Sequence, residues 1–329
     1  MNKLTKKLST IFCVGVLAFN AIAQTNEDFR KKQPAPLAPR AFNLPTPFEK
    51  TLPNGLKVVV VEDKRLPIVS VRLAFRSGDI YDGKGLTGLT GMMTGLLKEG
   101  TATRSSKQIA EEIEKIGGSV SASSDSDFSY VSASSLSQYT DQILQLMADV
   151  TLNPSFPQNE VDLAKQNAIQ GLDFQRSQPA FLAEEQMDKK IWGDHPYGNT
   201  SETKETISAI TRDKLVSYHK QMFIPNNAVL VIVGNVDKTK ISNDVAKLFG
   251  NWKSGTAIRG SSAAPPNRTQ KTLTIVNRDG SSQSNIVMGN VAIKRNDPDF
   301  FPVLVLNQVY GAGPSSRLFM NLREEKGYT

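Results

Sequence analysis

An internal sequence repeat indicates that this chain folds into a duplicated domain. The apolar stretch Leu273–Val276 repeats the pattern of Leu56–Val59, and segment 300–310 repeats the apolar composition of the first helical stretch. The offset is 273 minus 56, or 217 residues. Solenoid repeats are much shorter, about 20–50 residues, so this spacing indicates a second copy of a whole domain. That copy stops at Thr329 and is expected to be incomplete.

The first copy begins with strand patterns and continues with helical ones, which predicts an α+β domain with an antiparallel sheet packed against helices. A hairpin with a turn at Pro53–Gly55 opens it. Alternating and apolar runs predict the two strands of this hairpin within 48–61 and further strands at 67–75, 119–125, 128–136 and 227–233. Apolar residues at helical spacing predict helices at 85–98, 105–116, 139–150, 158–178, 179–192, 211–222, 238–249 and 300–310.

The first 23 residues have the composition of a secretory signal peptide. Lysines precede an apolar run from Ile11 to Phe19, and an Ala-Ile-Ala sequence ends at Ala23. A retained membrane anchor is the alternative, but the run is short and is interrupted by polar residues. We therefore expect export to the periplasm without a stable membrane span, and a mature chain that starts near Gln24.

Composition predicts how the rest of the chain is divided into an arm, domains and a linker. Four prolines before residue 47 predict an extended arm, and a stretch rich in Gly, Ser, Ala and Pro predicts a linker. The expected organisation is a signal peptide (1–23), an extended arm (24–46), a first α+β domain (47–253), a linker (254–270) and the start of an incomplete second domain (271–329).

Charge and cysteine content exclude several classes of protein. Loss of the three leader lysines lowers the formal net charge from +7 by three, to +4, and acidic and basic residues are mixed along the presumed helices. Nucleic acid is therefore not an expected partner. Cys13, the single cysteine, lies inside the leader. The mature protein thus has no disulfide and no thiolate metal site.

Residues 85–101 follow the hairpin and read Gly-Leu-Thr-Gly-Leu-Thr-Gly-Met-Met-Thr-Gly-Leu-Leu-Lys-Glu-Gly-Thr. This segment resembles the signature of the M16 (pitrilysin and insulinase-like) peptidases. In that family His-x-x-Glu-His lies on a helix that continues to Gly-Thr. Both histidines bind one zinc ion, and the Glu acts as a base on the bound water. The resemblance extends from about residue 48 to the end and implies duplicated M16-type domains.

The same resemblance implies that this chain lacks the zinc site. Gly91 and Gly95 stand at the two His positions, and Thr94 stands at the Glu position. The family's third ligand, a Glu on a long helix, falls at Gly171. A catalytic zinc needs three protein ligands, so no metal and no catalytic residue are expected here. Whether the chain is an enzyme is left uncertain, with inactivity in isolation as the expectation.

Other interpretations of these residues remain open. Gly88, Gly91 and Gly95 share one helix face, a stripe that would also allow another element to approach closely. His195 and His219 lack the spacing of a zinc motif and are interpreted as structural. Activity by other chemistry is a remote alternative, because no Ser-His-Asp or Cys-His constellation can be assembled.

Residues 313–329 resemble a second family motif, in which an Arg and a Tyr seven positions later bind the substrate backbone. Arg323 matches the Arg and is the expected substrate-binding residue, whereas the Tyr would be position 330. A surface Arg paired with Glu324 or Glu325 is the alternative.

Because the zinc ligands are missing while Arg323 is retained, the resemblance implies that this chain is the non-catalytic subunit of an exported heterodimer. Such a subunit contributes chamber wall and substrate-backbone contacts to a catalytic M16 partner. That partner holds the zinc, and the pair acts on unfolded peptide. The alternative is a catalytically dead peptide-binding or envelope scaffold protein.

Overall fold

The computed structural model describes residues 35–37, 45–198, 201–260, 264–267 and 270–329. The expected signal peptide, and most of the expected arm, lie outside the described residues. Within the described ranges, none of the helices combines the length and the apolarity that crossing a bilayer requires.

A six-stranded sheet forms the centre of the first domain. Its strands are β1 (Phe48–Thr51), β2 (Lys57–Glu62), β3 (Ile68–Phe75), β4 (Ser119–Ser124), β5 (Ser129–Leu136) and β6 (Ala228–Gly234). Their order across the sheet is β1-β2-β6-β3-β5-β4. The expected antiparallel sheet is in fact mixed, because β6 inserts between β2 and β3 and runs parallel to β2. A long helical segment precedes β6, so no hairpin turn sets its direction.

Eight helices belong to the same described region, and several of them pack directly against the sheet. They are α1 (Leu89–Leu96), α2 (Ser106–Lys115), α3 (Thr140–Leu152), α4 (Gln158–Arg176), α5 (Pro179–Trp192), α6 (Lys204–Ala209), α7 (Arg212–Met222) and α8 (Lys238–Phe249). Burial alternates along β3, where Val71 and Leu73 are buried but Ser70 and Arg72 are exposed. This period of two places the apolar residues under the helices, where they form the core.

Residues 270–329, which are expected to begin a second copy, form helices without strands. Helix α9 (Phe300–Tyr310) has the predicted bounds, and a short helix α10 (Arg317–Phe319) leads into a π-helical turn at Met320–Glu325. Residues 270–299 contain no strand, and Leu273 and Ile275 are 86% and 80% exposed. Strands are stable only beside other strands, and residues 270–299 do not pair with any strand of the described sheet.

Candidate functional site

Helix α1 has one buried face and one open face. Met93 is fully buried, whereas Gly91 and Gly95 are exposed. A Cβ placed on Gly95 would meet no atom of the described residues within 4 Å, and one placed on Gly91 would meet only the Ser124 hydroxyl, at 4.0 Å. Among the described residues, no other element therefore packs closely against Gly91 or Gly95.

The remaining two of the four positions at which zinc-site residues are expected to be missing are Thr94 and Gly171. Gly171 is on α4, a helix that contacts α1, and a Cβ there would also meet nothing within 4 Å in the described part of the chain. The Thr94 hydroxyl is buried and lies 3.1 Å from Thr90 O and 3.0 Å from Gly91 O. It thus bonds to its own helix. These residues do not fit a zinc ion, because three offer no donor atom.

No alternative metal site replaces the missing one within the ranges that the structure covers. No group of three or more His, Cys, Asp and Glu side chains there gathers closely enough to hold a metal ion. The arrangement at α1 can therefore offer a ligand open space over Gly91 and Gly95.

The start of α1 is fixed by a carboxylate that the sequence pattern does not reveal. The helix begins at Leu89, later than the predicted Gly85, because Gly88 takes a φ of 96°, in the left-handed region that favours glycine. The Asp82 carboxylate accepts bonds from Gly88 N at 2.8 Å, Thr90 N at 2.9 Å and Thr90 Oγ1 at 2.6 Å. These bonds satisfy amides that the first turn leaves free.

The surroundings of this helix start are acidic. Burial raises the pKa of Asp82 to about 6, although the bonds from Thr90 and Gly88 oppose the shift. Burial also raises the pKa of Asp79 and of Glu202, whose side chain packs against Gly88. Because the folded pKa of Asp82 is raised, its stabilising contribution is complete below the unfolded pKa and is lost as the pH rises through about 6.

A buried chain of hydroxyls connects α1 to the sheet. The Tyr218 hydroxyl on α7 lies 2.7 Å from Thr90 Oγ1 and 3.3 Å from Ser77 Oγ. The Ser129 hydroxyl on β5 donates to Ser77 O. Burial raises the pKa of Tyr218 to about 12, so its hydroxyl stays protonated. The pattern of residues around Tyr218 gives no signal for this contact, because Thr90 is far away in sequence.

Strand β4 is at an open edge of the sheet, since no strand of the described residues pairs with its outer side, and it lies beside α1. The bond from Asp125 N to Phe128 O, 2.8 Å long, closes the β4–β5 hairpin. Alternation along an antiparallel ladder then leaves the N–H and C=O groups of Val120, Ala122 and Ser124 pointing away from β5. Charges or prolines usually protect such edges, but β4 contains neither. This edge can therefore accept a further strand.

Both histidines of the described chain have structural partners. His219 Nε2 lies 2.8 Å from Thr151 O, and burial lowers the pKa of this imidazole to about 4. His195 Nδ1 accepts a bond from Tyr197 N at 3.1 Å. These contacts agree with the structural interpretation of both residues.

Arg323 is not brought to α1. It lies in the exposed π-helical turn, and its guanidinium carbon is 5.4 Å from the centre of the Phe319 ring. Among the described residues, no hydrogen bond or ion pair joins it to α1, to α4 or to the neighbouring Glu324 and Glu325. Its assignment as a substrate-binding residue stays a prediction.

Two family models match consecutive parts of the chain. Residues 57–204 match the model described as insulinase (peptidase family M16), and residues 209–329 match the peptidase M16 inactive domain. Among curated proteins, an uncharacterized zinc protease of Bacillus subtilis is 25% identical over 84% of this chain and 67% of its own length. One from Mycobacterium leprae is 29% identical over 84% of this chain and 63% of its own. The chain thus spans about two thirds of the length of these relatives.

Solved structures show the same fold. A peptidase M16 inactive domain from Pseudomonas fluorescens superposes with a TM-score of 0.71 at 24% identity, over 86% of this chain and 68% of that one. The periplasmic protease PqqL from Escherichia coli superposes with a TM-score of 0.60 at 15% identity, over 66% of this chain and 25% of that one.

Proposed function

Because the chain belongs to peptidase family M16, we propose that it is a non-catalytic peptidase subunit, which binds extended peptide while a zinc-binding partner cleaves it. The observation that carries this proposal is the open edge of β4 beside a helix without zinc ligands. The proposed activity is therefore binding and presentation.

The edge supplies the peptide-binding groups. A strand added to β4 would lie about 4.8 Å from it and would pair with the free backbone groups of Val120, Ala122 and Ser124. Ser124 lies next to Gly91, where the surface is open. A side chain of the bound peptide would therefore find space over Gly91 and Gly95, where the family's active enzymes hold their metal.

Export and pairing with a catalytic subunit complete the proposal. The first 23 residues have signal-peptide composition, and the structurally similar PqqL is described as periplasmic. Zinc and the catalytic Glu would belong to the partner, and Arg323 would add a contact to the peptide backbone. Binding at an edge through main-chain groups depends little on side chains, which suits unfolded peptides of varied sequence.

We expect Ala122→Pro to weaken peptide binding at least tenfold while the fold remains intact. Proline removes the outward N–H of residue 122, and its ring blocks the approach of a strand. The hydrogen bonds between β4 and β5 are retained, because the backbone N–H and C=O groups of Ala122 do not point toward β5. Fluorescence anisotropy with a labelled unfolded peptide measures the dissociation constant, and thermal unfolding reports on the fold.

Ala122→Val is the matched control, because it keeps the N–H and favours a strand, and it should bind like the wild type. A second control is a peptide N-methylated at alternate residues, which cannot pair with an edge and should not bind. Equal affinities of the proline and valine variants would rule out the β4 edge as the binding site.

The partner is tested by mixing the protein with the M16 protein encoded beside it, if that protein carries an intact His-x-x-Glu-His. We expect the mixture to hydrolyse peptide faster than the partner alone. Peptide binding without any gain in hydrolysis would favour the scaffold alternative instead.

A further inference from the structure

The turn between β4 and β5 is fixed from two sides. On one side, Asp79 N donates to Asp125 O at 3.1 Å and Ile80 N donates to Ser126 O at 3.0 Å. On the other side, the Tyr197 hydroxyl donates to the Asp127 carboxylate, with distances of 2.8 Å and 2.9 Å to its two oxygens. The end of the open edge is thus tied to a residue that is 70 positions away in sequence.

The Tyr197 side chain is itself held in place by its neighbours. Its ring centre lies 5.1 Å from that of Trp192, at the end of α5, and 4.6 Å from that of His195. The Tyr197 amide also donates to His195 Nδ1. Burial, followed by the bond to Asp127, raises the pKa of Tyr197 to about 12. The hydroxyl therefore remains a hydrogen-bond donor at any ordinary pH.

We propose that Tyr197 is a positioning residue for peptide binding, which keeps the β4 edge ready for an incoming strand by holding Asp127. This inference rests on the proposed function, since it concerns the same edge. An ordered edge binds more tightly than a mobile one, because the peptide then does not have to fix the strand on binding. Trp192 and His195, whose rings pack against Tyr197, would support peptide binding indirectly by holding the Tyr197 side chain.

The test is Tyr197→Phe, which deletes one hydroxyl and keeps the ring. We expect the dissociation constant of an unfolded peptide to rise about fivefold, as the loss of one partly exposed hydrogen bond to a carboxylate predicts. Amide hydrogen exchange at residues 126–129 of the peptide-free protein should become faster, whereas exchange in α8 should not change. Asp127→Asn, which weakens the same contact from the other side, should give a similar result.

The matched control is Tyr130→Phe, because the Tyr130 hydroxyl donates to Asp125 at 3.0 Å in the same hairpin but on its exposed surface. It should leave the peptide affinity unchanged. An unchanged affinity in Tyr197→Phe, or an equal loss in Tyr130→Phe, would overturn the positioning role while leaving the proposed function intact. If the wild type binds no peptide, the proposed function fails and this inference fails with it.

Discussion

We expect a variant with Gly91→His, Thr94→Glu, Gly95→His and Gly171→Glu to bind one zinc ion, whereas the wild type binds none at this position. Side chains at the three glycines would meet open space or only the Ser124 hydroxyl, and α4 contacts α1. At zinc concentrations 100-fold above the dissociation constant, binding should raise the free energy of unfolding by about 2.7 kcal/mol. Metal analysis after dialysis and unfolding with and without zinc measure both effects.

The matched control replaces Gly91, Gly95 and Gly171 by alanine. Each alanine should stabilise its helix by about 0.8–1.0 kcal/mol, because glycine is unfavourable in a helix interior, but the variant should bind no zinc. If the histidine and glutamate variant folds and binds no zinc, these positions do not converge. The assignment of the lost ligands would then be wrong.

Alanine substitutions on the two faces of α1 should change the free energy of unfolding in opposite directions. Met93→Ala removes a fully buried side chain from the core and should lower the free energy of unfolding by about 2–5 kcal/mol. Gly95→Ala, two residues away on the open face, should raise it by about 0.8–1.0 kcal/mol. Chemical denaturation of both variants gives the comparison.

Met93→Leu is the control for the buried face, since a swap that preserves volume should cost less than about 1.5 kcal/mol. A loss of stability in Gly95→Ala would mean that another part of the protein covers this face. The open space that we assign to a bound peptide would then be filled already.

Most elements of the first domain could be predicted from local patterns, although the short helix α6 was not. Helix α8 has the predicted bounds, because Asp237 caps its first turn and Gly250 follows its last residue. The direction of β6 and its position in the sheet could not be predicted, since its partners β2 and β3 lie more than 150 residues earlier. Pairing at that distance depends on how the helices pack, which no local pattern encodes.

The candidate site could likewise be predicted only in part from the sequence. The absent ligands at Gly91, Thr94, Gly95 and Gly171 are visible in the sequence because they belong to a motif of known spacing. The contacts that shape the site around them depend on residues that are distant in sequence, as with Tyr218 and Tyr197. The free edge of β4 also becomes evident only when the strand order is known.

The central claim is that this protein binds peptide without zinc and without cleaving it. The most direct test incubates the intact wild-type protein with an unfolded peptide, with and without a chelator, and measures both binding and the mass of the recovered peptide. We predict the same dissociation constant in both conditions and a peptide of unchanged mass. Stoichiometric zinc in the purified protein, together with cleavage that the chelator stops, would contradict the account.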